Sequence, residues 1–192
     1  MCCVMPQPET PEPAVTVDLA VDEELSVEYL PPDSASFRNV LGRFATGVTV
    51  LATSSDDGVR ATTANAFTAV SLDPPLILVC LQRESWLLEL MVAERAFSVS
   101  VLSDRQEHVA RTMAARGRRP EQTEGVEWFL DRNGLPLLRG ALAHVHCVVE
   151  ERILGGDHEI VIGRVRAMDR HEGEPLLFVD GQFVREWGIS ND

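Results

Sequence analysis

Four short stretches carry residue types suited to chemistry. The first is Thr62-Thr63-Ala64-Asn65-Ala66-Phe67-Thr68. Its small side chains let a ligand approach the backbone. Its hydroxyls, one amide and free N–H groups suit the polar edge of a ring or a polyol chain. A Thr-rich strand without a ligand has the same composition. The second stretch, Ser71-Leu72-Asp73-Pro74-Pro75, predicts a rigid turn that aims the segment before it. The third, Gly155-Gly156-Asp157-His158-Glu159, places a histidine where a glycine turn meets a strand. There it can contact a carboxamide or phosphate or tune a proton transfer, although an exposed loop histidine reads the same way. The fourth, His144-x-His146, has the spacing of two metal ligands on one strand face. No third ligand has matching spacing, so a structural or pocket-lining role is expected and no metal is assigned.

The elements that position these residues are mostly strands. Ser34 or Ser36 can cap a helix whose apolar face is Phe37, Val40, Leu41 and Phe44, ending at Gly47. VTVLATS (48–54) and the segment from Val59 form a hairpin about the SDDG turn. Residues 61–75 start as a strand and end in the proline turn, and Leu76–Leu81 is a buried strand. Ser85 can cap a short helix through Met91. Phe97–Leu102 is a strand, and Asp104 can cap a helix to Ala115. Residues 116–126 read as a charged loop. Ala141–Val149 and Glu159–Met168 form a second hairpin, followed by short strands at 176–179 and 182–187. About eight strands and three helices, joined by short turns, predict a mainly β chain. It would be a closed or split antiparallel barrel with peripheral helices. Helices do not alternate with strands, so a doubly wound fold is excluded. The usual glycine fingerprints for dinucleotide, phosphate and nucleophile-elbow sites are absent.

Composition narrows the partners. A net charge of -13 in 192 residues argues against a basic nucleic-acid surface. No apolar run is long enough for a membrane span, and the first residues do not read as a secretory signal, so a cytoplasmic location is expected. Cys80 and Cys147 lie in apolar runs and are expected to be buried and reduced. Trp86, Trp128 and Trp187 are expected in the core. Residues 1–33 hold six prolines, many acids and no Lys or Arg, and read as a flexible tail before a domain at 34–192.

The order of motifs says more than any one of them. FRNVLGRFATGVTVLAT (37–53) precedes TTANAFTAVSLDPPLILVCL (62–81). FSVSVLSDRQEHVA, GLPLLRGALAHVHCVVE, GGDHEIVIGRV and PLLFVDGQF follow. Over about residues 36–187 this series resembles the flavin reductase-like, FMN-binding split-barrel family. That family includes the small reductase components of two-component flavin monooxygenases. The resemblance implies a homodimer of six-stranded split barrels with flavin near the dimer interface, FMN or FAD, and NADH or NADPH giving hydride to flavin N5. It implies that Thr62, Thr63, Ala64 and Asn65 line the flavin, with Ser71 near the ring or its chain. Cys80, Arg83 and Ser85 would lead to the phosphate, Ser100 and Gln106 would flank the flavin tail, and Phe183 would stand near the pocket. His158 would meet the nicotinamide.

The sequence departs from that pattern in three places, the mildest being Ser100, which stands where Asn is frequent. Ala61-Thr62 replaces Gly-Met. Ser85-Trp86-Leu87 replaces Ser-Arg-Thr, removing a phosphate contact worth ~1.5–3 kcal/mol, for which Arg83 is the candidate substitute. The function implied is reduction of flavin for a partner monooxygenase or halogenase. Two other readings differ in outcome: a flavin-dependent reductase acting directly on an organic substrate, and a non-catalytic flavin- or haem-binding barrel.

Overall fold

The structure, a computed structural model, describes residues 30–56, 58–115 and 123–184. Most of the expected tail, part of the 116–126 loop, and Trp187 lie outside them. Helix α1 (Ser34–Leu41) is capped by Asp33, whose carboxylate accepts from the N–H groups of Ala35 and Ser36. The cap is therefore one residue before Ser34 and three before Ser36. Strands β1 (Thr46–Gly47), β2 (Thr49–Ser55), β3 (Gly58–Ala64), β4 (Phe67–Leu72) and β5 (Pro75–Gln82) follow. Next come α2 (Trp86–Glu94), β6 (Ala96–Val101), a 3-10 turn at Asp104–Gln106 and α3 (Glu107–Met113). The chain then forms β7 (Trp128–Leu130), β8 (Pro136–Leu138), β9 (Ala143–Gly155), β10 (His158–Arg170), β11 (Leu177–Val179) and β12 (Gln182–Val184).

Seven strands make one antiparallel sheet in the order β3-β2-β6-β9-β10-β5-β4. The strands β3 and β4 are consecutive in the chain yet stand at opposite edges. Only Asn65 and Ala66 separate them. Three Cα–Cα steps span at most about 11 Å, so the sheet must curl until its edges meet. This is the expected split barrel. It has seven strands rather than six because the segment 61–72 is interrupted at Asn65–Ala66; taken as one bent strand, it restores the count. A small sheet of β1, β11 and β12 and the β7–β8 hairpin lie outside the barrel. Of these, β1, β7 and β8 are too short for a periodic signal.

The core has two parts, and β2 serves both. Leu51 faces a cluster with Val79, Phe97, Val99, Cys147 and Val161, closed by Leu87, Leu88 and Met91 of α2. Val48, Val50 and Ala52 face a cluster with Leu102, Val109, Met113 and Leu176 beside α3. A strand buried on both faces needs a continuous apolar run, and 48–52 is one. The β9–β10 hairpin extends well beyond the expected 141–149. Its solvent-facing half is held by cross-strand ion pairs, Arg152 with Glu159 at 2.6 Å and Arg164 with Glu150. Among the described residues, no helix is long and apolar enough to cross a membrane.

Candidate active site

The seam where the sheet edges meet opens into a cleft of about 700 Å³. One wall is β3 and its exit, Ala61 to Ala66. The other is the end of β5 and the start of α2, Cys80 to Trp86. His158 enters from β10, and Ala114 and Ala115 close the side beyond α3. Its volume falls in the usual range for small-molecule sites.

The Thr pair is engaged structurally. Thr63 Oγ1 donates to the Ala110 carbonyl at 2.7 Å, and Thr62 Oγ1 to the Met113 carbonyl at 3.4 Å. Both hydroxyl protons therefore hold the end of α3 against the cleft. Their oxygens remain acceptors. Asn65 is exposed in the gap between strands, and its side-chain amide makes no hydrogen bond among the described residues. It is the polar group freest to meet a ligand.

Across the cleft, Cys80 is a free thiol, partly exposed, where the core was expected. Burial raises its pKa. Ser85 begins α2 without a side-chain cap. Leu88 N–H donates to the Ser85 carbonyl at 3.0 Å, which leaves the N–H groups of Trp86 and Leu87 at the helix start to suit an anion. Trp86 also lines the cleft rather than the core. The guanidinium of Arg60, from β3, lies 5.5 Å from its ring centroid. The cleft is thus bounded by the Asn65–Ala66 link at one end and spanned between its walls by the Arg60–Trp86 contact.

The GGDH turn stands over the loop between β5 and α2. Arg83 N–H donates to the Asp157 carbonyl at 3.1 Å, and His158 pairs with Gln82 in the strand register. His158 Nδ1 lies 2.8 Å from Asp157 Oδ1. That hydrogen bond, reinforced by charge, holds the Asp157 carboxyl below its ordinary value. The pairing orients the ring and leaves Nε2 for a ligand. The His158 side chain is 40% exposed.

The structure brings Thr62, Thr63, Ala64, Asn65, Cys80, Ser85 and His158 together around one space. Arg83 is exposed at its rim, between the lining residues Gln82 and Glu84. Four other residues are elsewhere. Ser71 is half-buried on β4. Ser100 is fully buried and accepts from Leu138 N–H. Gln106 closes the capping box with Ser103 and donates to the Arg139 carbonyl at 2.9 Å. Phe183 packs on Phe178, with the Arg111 guanidinium 4.8 Å from its ring centroid. Sequence reasoning missed Trp86 and the Ala114–Ala115 wall as cleft residues. Nothing in the local sequence marks them, because they reach the cleft only through barrel closure.

A cleft with small residues on one wall, a helix N-terminus on the other and an oriented histidine suits a planar polar ring with an anionic tail. Among known proteins, the chain matches the Flavin reductase like domain over residues 41–186. It is 40% identical over 159 residues to the NADH-dependent FAD reductase of Streptomyces globisporus, covering 81% of this chain and 87% of that one. It is 39% identical over 162 residues to the reductase subunit HsaB of a flavin-dependent monooxygenase from Rhodococcus jostii, covering 83% and 80%. Among solved structures, the S. globisporus NADH:FAD oxidoreductase in complex with NAD and FAD fragments superposes with a TM-score of 0.80 at 38% identity. That match covers 86% of this chain and all of the other.

Proposed function

Since the chain belongs to the flavin reductase-like domain family, we propose that its seam cleft is the site where a flavin and a nicotinamide meet. The protein is an NADH-dependent flavin reductase, an oxidoreductase that supplies reduced flavin. The observation that carries the site assignment is the convergence of Asn65, the α2 N-terminus and His158 on one cleft. Flavin, FMN or FAD, takes up the hydride; the residues of this chain position and screen.

The fit is chemical. Ala61, Ala64 and Ala66 allow close approach to the β3 backbone. The Asn65 amide offers a donor and an acceptor to a ring edge. The start of α2 and Arg83 receive the phosphate, in place of the missing Arg-Thr pair. His158, steadied by Asp157, holds the nicotinamide side. Held in stacking range, the two rings need no protein acid or nucleophile.

Three further assignments accompany this reading. Residues 34–192 form the catalytic domain and 1–33 an appendage. The chain pairs as a homodimer: α1 and the turn after it expose Phe37, Val40, Leu41 and Phe44, and the β9–β10 tip exposes Leu154, more apolar surface than a lone barrel explains. It works in the cytoplasm beside a separate monooxygenase, where free Cys80 and Cys147 remain reduced.

The test is anaerobic. The purified chain is given excess FMN or FAD, then NADH or NADPH, and the visible flavin band is followed. Bleaching with many turnovers per protein is expected. A bound flavin that neither nucleotide bleaches would overturn the assignment. Light scattering on the same sample reads the dimer.

A further inference from the structure

A second cavity, about 420 Å³, lies at the opposite end of the β9–β10 hairpin from His158. His144 of β9 faces Asp169 of β10 in register, and His144 is only 4% exposed. Its Nε2 lies 2.8 Å from the Leu138 carbonyl oxygen. A carbonyl only accepts, so Nε2 carries the proton. Its Nδ1 lies 2.9 Å from Asp169 Oδ1, a second acceptor. In the neutral ring, a buried lone pair is therefore aimed at a carboxylate. Such a contact needs a cation between or beside the two groups, either a proton or a metal ion.

His171 decides between them. Its Nε2 lies 3.6 Å from the same Asp169 oxygen, and its ring centroid lies 5.7 Å from that of His144. The three ligand atoms fall within 4.8 Å of one another. A proton between His144 and Asp169 leaves His171 only a long 3.6 Å ion pair with the same oxygen; a metal ion engages all three at once. Tetrahedral coordination at zinc bond lengths sets neighbouring ligand atoms about 3.3 Å apart. The 2.9 and 3.6 Å separations bracket that value. The Leu138 carbonyl supplies the outer hydrogen bond that commonly orients a ligating imidazole.

We propose that His144 Nδ1, the Asp169 carboxylate and His171 Nε2 form a site for a divalent transition ion of the zinc class. The spacing His144-x-His146 names the wrong pair. His146 Nδ1 is 2.8 Å from Asp131 Oδ2 and 3.1 Å from Asn133 Nδ2, and stays outside the site. The ion pins the chain just after β10 to β9; His144 and Asp169 also line the cavity. This clip is separate from the flavin cleft, so it stands or falls independently of the reductase reading.

The test is zinc chloride titrated calorimetrically into the chelator-treated full chain, with cobalt(II) absorption as a second readout. One equivalent bound, tetrahedral cobalt bands and a higher melting temperature are expected. His171→Ala, at a side chain 55% exposed and therefore safe for folding, should weaken binding by more than about 100-fold. Asp169→Ala should do the same, and flavin turnover should persist in both. No uptake by the wild type would overturn the proposal and leave a proton as the bridge. Uptake unchanged in both variants would also overturn it, placing the ion elsewhere on the chain.

Discussion

The hydroxyl of Thr63 donates to the carbonyl of Ala110 at 2.7 Å, tying the cleft strand β3 to helix α3. Ala110 also accepts the capping N–H of Ala114. With the longer Thr62 bond to the Met113 carbonyl, the Thr63 bond positions the Ala114–Ala115 wall. Thr63→Val keeps the shape and removes the donor. The expected cost is about 1 kcal/mol, roughly 3 °C in melting temperature. Flavin affinity should fall as well, because the wall shifts. Thr63→Ser should recover both in a paired melting and flavin-titration experiment.

Asp157 orients the His158 ring, which the proposed function sets on the nicotinamide side. For His158→Ala, KM for NADH should rise about 10-fold, the equivalent of one lost hydrogen bond. Flavin affinity should change by no more than about 2-fold. Steady-state kinetics with each substrate varied separately checks this. Equal losses for both would show that the GGDH turn, not the ring, was disturbed.

Gly163 is closely confined in the middle of β10. A Cβ there would meet Phe97 Cζ at 2.7 Å and Cys147 Cβ at 3.0 Å. Phe97 is fully buried and cannot swing away. Gly163→Ala should therefore cost about 1–3 kcal/mol by overpacking. Thermal unfolding measures it, and an unchanged melting temperature would show that the Phe97 ring is free to move.

Cys147 is buried in the barrel, and burial pushes its thiol from 9.0 up to about 12. The folded state thus favours the protonated thiol. The stability this contributes is complete below 9.0 and is lost as pH rises from there through about 12. In that window Cys147 adds a slope of up to about 1.4 kcal/mol per pH unit. All 17 basic residues are arginine, so no lysine titration overlies it. Denaturant curves at rising pH should be steeper in pH for the wild type than for Cys147→Ala. Native thiol labelling with peptide mapping should leave Cys147 unmodified.

Much of this arrangement was legible in the sequence, and the gaps have physical causes. The 155–158 hairpin was readable because a Gly-Gly turn between β-branched strands has few other solutions. The break at Asn65–Ala66 was not, since Thr, Ala and Phe on either side read as one strand. What interrupts it is barrel closure, a property of the whole sheet. The outer half of β9 was hidden because Glu150 to Arg152 look like a strand end when their cross-strand partners are unknown. Ser100 and Gln106 have ligand-binding chemistry, but internal N–H and carbonyl groups claim them first. Residue type alone does not separate a ligand contact from a cap. His144 was noticed for its neighbour two residues on, while its true companions are 25 and 27 positions away.

The two closures of the cleft are unequal. At Asn65–Ala66 the chain passes from β3 straight into β4, and the Ala66 carbonyl takes the Cys80 N–H of the other wall at 3.1 Å. Between Arg60 and Trp86 the walls meet through a contact worth about 1–2 kcal/mol. Leu87, Leu88 and Met91 anchor the Trp86 wall in the core, so the walls do not move as bodies and only side chains can give at the Arg60–Trp86 end. Tolerance for a longer or shorter tail is therefore set at that end, and a stricter fit at the Asn65–Ala66 end.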